Sequence, residues 1–103
     1  MTTPSLSVEE LKKLACETIE KRKKEIVGLA QQVLANPEAG FREVKTAQLV
    51  AEKFQELGIS HQSGLALTGL KGRIKGGAGD GPSVAVIGEL DSLVVTEHPP
   101  ADP

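Results

Sequence analysis

The stretch "PSVAVIGELDSLVV" (residues 82–95) decides what kind of fold this sequence can form. Four apolar residues, 84–87, are followed by a glycine and then by two acids, Glu89 and Asp91. A strand that is apolar on both faces is typical of the middle of a sheet that helices cover on both sides. We therefore predict a buried strand over residues 83–90, with carboxylates at the end from which the chain leaves it.

Two amphipathic helices are predicted upstream of this strand. Ser7 and Glu10 have the S-x-x-E spacing of a capping box, which marks the start of a helix. Apolar residues then recur at helical spacing and predict a first helix over about residues 8–35. A second set predicts a helix over about residues 41–57, with Gly58 placed to be its left-handed C-terminal cap.

The remaining sequence predicts a small sheet. Short strands are predicted over residues 59–63 and 70–75, and the glycine-rich "GGAGDGP" connects the latter to the strand at 83–90. The class is therefore α/β, with the order α, α, β, β, β. Two helices can cover only one face of such a sheet, and burying a single Val or Ile contributes roughly 1.5 to 3 kcal/mol. We therefore expect residues 1–103 to form an incomplete part of one α/β domain.

The composition excludes several functional classes. The chain has 12 Lys and Arg against 14 Asp and Glu, a net charge of −2, which favours neither a basic nucleic-acid binder nor a polyanionic tail. Aromatic residues make up only 2%, so the stacking surfaces that bind single-stranded nucleic acid are missing. No apolar run approaches a membrane span. The single cysteine, Cys16, fits a reducing compartment, and we expect a cytoplasmic protein without nucleic-acid or membrane partners.

Glu89 and Asp91 are the candidate site residues, because ligands of α/β sheets bind beyond the carboxyl ends of the strands. If the strand continued past them, residues two positions apart would share a face and both carboxylates would point the same way. The alternative, which the residues alone favour, is that the strand ends at Gly88 and both acids are solvated turn residues. Glu97 and His98 follow in a proline-rich stretch that a solvated loop explains better than a metal site.

Three segments carry a resemblance to a known family. The segments "NPEAGFREVKTAQLVAEKFQELGI" (36–59), "TGLKGRIKGG" (68–77) and "VAVIGELDSL" (84–93) resemble the start of the aminoacylase and carboxypeptidase family, peptidase family M-twenty. The likeness is greatest to its amidohydrolase branch, which includes hydrolases of N-acyl amino acids, indole-acetyl amino acids and aminobenzoyl-glutamate. The resemblance implies a zinc-peptidase-like catalytic domain, a helix-covered mixed sheet of which this chain is the N-terminal corner. The family's lid or dimerisation domain would lie outside residues 1–103.

The resemblance also assigns roles to the two acids. In the peptidase branch this strand end carries a histidine that binds metal and, two residues on, an aspartate that orients it. Asp91 matches the aspartate, whereas Glu89 stands at the histidine position. This departure fits the amidohydrolase branch, whose metal ligands come from a downstream Cys-Gly-His motif and from later acids and histidines. The implied site residues are therefore Asp91 as an orienting acid and Glu89 as a second candidate, with no metal ligand in this chain.

The function that the resemblance implies is that of a metal-dependent amidohydrolase. Two divalent metal ions, zinc or manganese, would activate water to hydrolyse an amide bond of an N-acyl amino acid or a similar small molecule. Residues 1–103 alone are expected to be inactive, to bind no metal and to need the remainder of the same catalytic domain, and a homodimeric parent is a further expectation. The alternative is a non-catalytic α/β module that binds another protein through its exposed sheet.

Overall fold

The computed structural model describes residues 6–93, 95 and 97. The helices are α1 (Val8–Lys21), α2 (Lys23–Ala35) and α3 (Val44–Glu56), and the strands are β1 (His61–Leu65) and β2 (Gly69–Gly72). The chain divides into two compact units, Met1–Ala35 and Asn36–Pro103. The predicted α/β class is confirmed, whereas several element bounds differ from the prediction. No helix in the described ranges is both long enough and apolar enough to cross a membrane.

From residue 6 onward, where the structure describes it, the first unit contains two helices where one was predicted over residues 8–35. The hydroxyl of Ser7 accepts a hydrogen bond from the Glu10 N–H at 3.1 Å, so α1 begins at the predicted cap. The helix is interrupted at Arg22, which has φ −98° and ψ 9° and whose N–H is shared among carbonyls of the preceding turn. No residue of α1 or α2 is buried, and the thiol of Cys16 is exposed.

In the second unit, α3 begins three residues after the predicted start at 41. Phe41 has a φ of +62°, which is left-handed and incompatible with the first turn of a helix. The Arg42 N–H donates to the Ala39 carbonyl at 3.0 Å, so these residues form a tight turn before Val44. Residues 41–43 therefore lie in or directly after this turn and are not the first helical turn of α3.

The C-terminal end of α3 is a Schellman motif centred on Gly58. Gly58 has a φ of +70°, its N–H donates to the Gln55 carbonyl at 3.1 Å, and the Ile59 N–H donates to the Phe54 carbonyl at 2.8 Å. Both carbonyls would otherwise lack an intrahelical donor. The predicted glycine cap is confirmed.

The two strands form an antiparallel hairpin whose bounds are shifted from the predicted ranges 59–63 and 70–75. The register pairs His61 with Gly72 and Leu65 with Gly69, with an irregularity between these pairs. Gly64, inside the irregular stretch, has a φ of +72°, which is the conformation that glycine supplies at a β-bulge. The bulge extends β1 to Leu65, and β2 consequently starts immediately after the turn at 66–68.

The hairpin packs against α3 where the two approach closely. A Cβ atom on Gly72 would lie 3.0 Å from Cγ2 of Ile59 and 3.3 Å from Cε2 of Phe54. The rings of Phe54 and His61 are 5.4 Å apart, and Nδ1 of His61 lies 3.0 Å from the Ile59 carbonyl oxygen. His61 is therefore a half-buried packing residue of this unit.

The predicted strand over residues 83–90 is absent from the described structure, which corrects the expected order of three strands. Val84, Val86 and Ile87 are 89%, 96% and 89% exposed. The physical reason is that a strand needs a hydrogen-bonded neighbour, and β1 and β2 pair only with each other. No hydrophobic residue in the described part of the chain is buried, so the helix cover expected for this strand is also missing.

Gly69 provides a test of the hairpin geometry. A Cβ atom at this position would lie 2.7 Å from the backbone oxygen of Leu65, which cannot be relieved by rotating a side chain. We expect Gly69→Ala to destabilise the hairpin by roughly 1 to 3 kcal/mol, measured by amide hydrogen exchange of β1 and β2. Gly76→Ala is the control, because nothing lies within 4 Å of its added Cβ. Equal exchange in the two variants would contradict the register.

Candidate functional site

Glu38 caps the N-terminus of α3 from outside the helix. Its Oε1 accepts hydrogen bonds from the Thr46 N–H at 2.6 Å and the Thr46 hydroxyl at 2.8 Å, and its Oε2 accepts from the Lys45 N–H at 3.1 Å. The residue at the N-cap position, Glu43, makes no side-chain cap. Glu38 thus satisfies two amides of the first turn that have no acceptor within the helix, and its charge suits the positive end of the helix dipole.

A second carboxylate, that of Glu43, joins the start of α3 to the hairpin turn. Glu43 and Thr46 are the two buried residues of the described structure, at 7% and 5% exposure. Oε2 of Glu43 accepts from the Thr68 hydroxyl at 2.7 Å, and Oε1 accepts from the Arg42 N–H at 3.0 Å. A buried carboxylate costs free energy unless it is hydrogen-bonded, and both oxygens of Glu43 have donors.

A backbone hydrogen bond connects this region to the segment that carries the candidate acids. The Ser92 N–H donates to the carbonyl oxygen of Glu38 at 2.8 Å. These bonds form two sets, one that joins Glu38 to Thr46 and Ser92 and one that joins Glu43 to Thr68. Because Glu43 and Thr46 both lie at the start of α3, we call these five residues together the capping cluster. Asp91 directly precedes Ser92 and therefore lies at the edge of the capping cluster.

The predicted site residues are placed differently from the strand-end arrangement. Glu89 and Asp91 are both exposed and stand on irregular backbone, so the shared face that a continuing strand would give them is not formed. Glu97 is exposed and His98 lies outside the described residues. In the described ranges, no three His, Cys, Asp or Glu side chains are placed to hold a metal ion. The role of Asp91 and Glu89 in catalysis stays a prediction.

The electrostatics of Glu38 favour its charged form. Burial raises the pKa of its carboxyl, but hydrogen bonds from the backbone and hydroxyl of Thr46, the backbone N–H of Lys45 and the charge of Lys45 together outweigh burial. The pKa of Glu38 consequently lies below its ordinary value of 4.5. At neutral pH the cap is therefore an ionised carboxylate.

Comparison with curated proteins gives similarity to hydrolases of several organisms. The chain is 35% identical over 72 residues to the IAA-amino acid hydrolase ILR1-like 5 of Arabidopsis thaliana, which covers 70% of this chain and 16% of the relative. It is 36% identical over 73 residues to the thermostable carboxypeptidase 2 of Saccharolobus solfataricus, covering 70% and 18%. It is 35% identical over 69 residues to the hippurate hydrolase of Campylobacter jejuni, covering 67% and 18%. No family model and no solved structure matches the chain.

These similarities confirm the resemblance that the sequence motifs indicate. The chain carries a segment of the amidohydrolase and carboxypeptidase family, peptidase family M-twenty. It spans less than a fifth of the length of each of these curated relatives.

The lowered pKa of Glu38 predicts how the cap responds to acid. Because the pKa is depressed in the folded state, the stabilisation is fully present above the ordinary value of 4.5 and is lost as the pH falls through the lower, folded pKa. We expect the amide chemical shift of Thr46 to titrate in this acidic range, measured by nuclear magnetic resonance. Glu38→Gln should abolish this titration, and Glu52→Gln, on the exposed face of the same helix, should preserve it. An unchanged titration in Glu38→Gln would exclude Glu38 as its source.

Proposed function

We propose that this chain is part of a hydrolase that cleaves the amide bond of an N-acyl amino acid or a similar compound. The support is the set of relatives named above, whose names specify an amino acid conjugate, a peptide and hippurate. Hippurate is an acylated glycine, so each name denotes an amide or peptide bond that involves an amino acid. A carbon–nitrogen bond of this type is the shared chemistry, and the acyl group differs from one relative to the next.

The observation that carries this proposal is that most of the chain is similar to a small part of much longer hydrolases, while its described residues form no buried hydrophobic core. About 70% of the chain is similar to relatives of which it spans only 16% to 18%. In the described ranges no hydrophobic residue is buried, although Val84, Val86 and Ile87 form an apolar run. A self-sufficient interaction module would bury a core of its own. Both observations support a chain that acts together with the remainder of a catalytic domain and is inactive alone.

Within the proposed enzyme, Asp91 is the acid that orients a catalytic group at the active-site edge, and Glu89 is a second candidate at that edge. The support is the family resemblance of the "VAVIGELDSL" segment together with the exposure of both carboxylates. An exposed carboxylate at this point is free to face residues supplied by the remainder of the domain. Its task would be to accept a hydrogen bond and so fix the orientation of its partner.

We propose that the full-length enzyme depends on two divalent metal ions, zinc or manganese, held by residues outside this chain. The described residues do not fit a metal site of their own, since no three potential ligands come together. We therefore assign no metal ligand to Glu89 or Asp91. The proposed partners are the small amide substrate, the remainder of the domain and a second copy of the enzyme, and the single free Cys16 supports a reducing, cytoplasmic setting.

Metal dependence is tested on the full-length protein. We expect a chelator such as dipicolinate to abolish hydrolysis of hippurate and other N-acyl amino acids, and added zinc or manganese to restore it, because the ions supply water activation. Release of the free amino acid is the measured quantity. Hydrolysis that survives complete metal removal would exclude the metal-dependent mechanism.

Substitution of Asp91 tests its orienting role. Asp91→Asn keeps the size of the side chain but removes its charge, and we expect metal affinity or turnover of the full-length enzyme to fall by roughly ten- to a hundredfold with folding preserved. Asp80→Asn makes the same change in the exposed glycine-rich connection and should leave both unchanged. Activity of Asp91→Asn equal to that of Asp80→Asn would remove Asp91 from the site.

A further inference from the structure

Glu38 is held at both its side chain and its backbone. Its carboxylate accepts three hydrogen bonds from Lys45 and Thr46 in the first turn of α3, and its carbonyl oxygen accepts one from the Ser92 N–H at 2.8 Å. Glu38 therefore contacts α3 through its side chain and the segment that contains Asp91, residues 81–93, through its backbone.

The hydrogen bond from Ser92 ties the segment that contains Asp91, residues 81–93, to the backbone of Glu38. Residues 81–93 contain no helix and no strand in the described structure. Among the backbone–backbone hydrogen bonds between described residues outside the helices and strands, the one that involves this range runs from the Ser92 N–H to the Glu38 carbonyl oxygen. Because Asp91 precedes Ser92 directly, the position of its Cα is set within one peptide unit of that bond.

We propose that Glu38 is a positioning residue that fixes Asp91 relative to the N-terminus of α3. The proposal rests on the proposed function in one respect, namely that Asp91 lies at the active-site edge. The carboxylate of Glu38 locks its own backbone to α3, and the locked carbonyl then anchors Ser92. An orienting acid acts only if it is held to within a fraction of an ångström, because a displacement of about 1 Å can cost a hundredfold in rate.

The buried threonine of the capping cluster reinforces the lock. Thr46 is 5% exposed and donates to Glu38 Oε1 through both its N–H and its hydroxyl. The backbone of Thr46 cannot move away from Glu38 without disrupting the first turn of α3. Glu38 is consequently held by a rigid element rather than by a loop.

The experiment compares four forms of the full-length protein: the wild type, Glu38→Ala, Glu38→Gln and the control Glu52→Gln. Glutamine keeps an acceptor oxygen for Thr46 but presents an NH₂ group to the Lys45 N–H, so it should retain part of the lock. The first readout is hydrogen–deuterium exchange of the peptide that contains Ser92, without substrate. The second readout is kcat and KM for an N-acyl amino acid, with metal content measured in parallel.

We expect exchange at Ser92 to rise by about tenfold or more in Glu38→Ala, less in Glu38→Gln and not at all in Glu52→Gln. We expect kcat of Glu38→Ala to fall by roughly ten- to a hundredfold while KM changes by less than about threefold, because the substrate contacts are untouched. The order of the three variants should be the same in exchange and in kcat. A merely structural role would lower the amount of folded enzyme without this graded change in kcat per folded molecule.

Two results would overturn the proposal. One is unchanged exchange at Ser92 in Glu38→Ala, and the other is raised exchange with an unchanged kcat. Failure of the proposed function is distinguished from both, since it would be seen in the wild type as absent amide hydrolysis before any variant is compared. Hydrolysis in the wild type that Asp91→Asn lowers and Glu38→Ala does not would retain the enzyme and remove Glu38 from it.

Discussion

The carboxylate of Glu38 is the interaction on which the second unit depends. It supplies acceptors for two amides at the start of α3, where the N-cap residue supplies none. The capped turn contains the buried Thr46, and Glu43, the residue before α3, accepts a hydrogen bond from Thr68 in the hairpin turn. Hydrogen bonds to the Glu38 carboxylate thus anchor the beginning of α3. At the other end of the helix, Phe54 and Ile59 pack against the hairpin. No hydrophobic residue is buried in the described ranges, so these hydrogen bonds are a main source of stability for the second unit.

Local signals in the sequence are sufficient to predict the helix ends that depend on nearby residues. Ser7 and Gly58 act within one turn of their helices, and both were predicted from spacing and residue type. The two short strands were predicted with bounds that differ from the observed ones, because the bulge at Gly64 adds a residue to one strand and no pattern of alternation reveals it. The strand at 83–90 was predicted from burial potential alone. An apolar run reports that a segment can be buried in a sheet, whereas strand formation also requires a neighbour to pair with.

The candidate site also contains features that the sequence could predict and features that it could not. Glu89 and Asp91 were singled out by their place after the apolar run, and the family resemblance then gave Asp91 its predicted orienting role, which stays a prediction. The role of Glu38 was not found, because it rests on contacts with residues seven, eight and fifty-four positions further on. One signal was available: α3 begins at a position without a Ser, Thr, Asp or Asn cap, and an acid lies shortly upstream. A helix start that lacks its usual cap indicates that an acceptor must come from elsewhere in the chain.

The exposed run at Val84, Val86 and Ile87 has a consequence for the chain in solution. These residues are β-branched, nearly fully exposed, and free of charge and proline between positions 83 and 88. Segments of this composition pair with copies of themselves and stack into cross-β assemblies when nothing covers them. Like the groups of an open sheet edge, the backbone N–H and C=O groups of residues 83–88 are not paired in a sheet and can pair with another chain. Association of the isolated chain should therefore depend on its concentration, and a single lysine on this run would act as a gatekeeper against it.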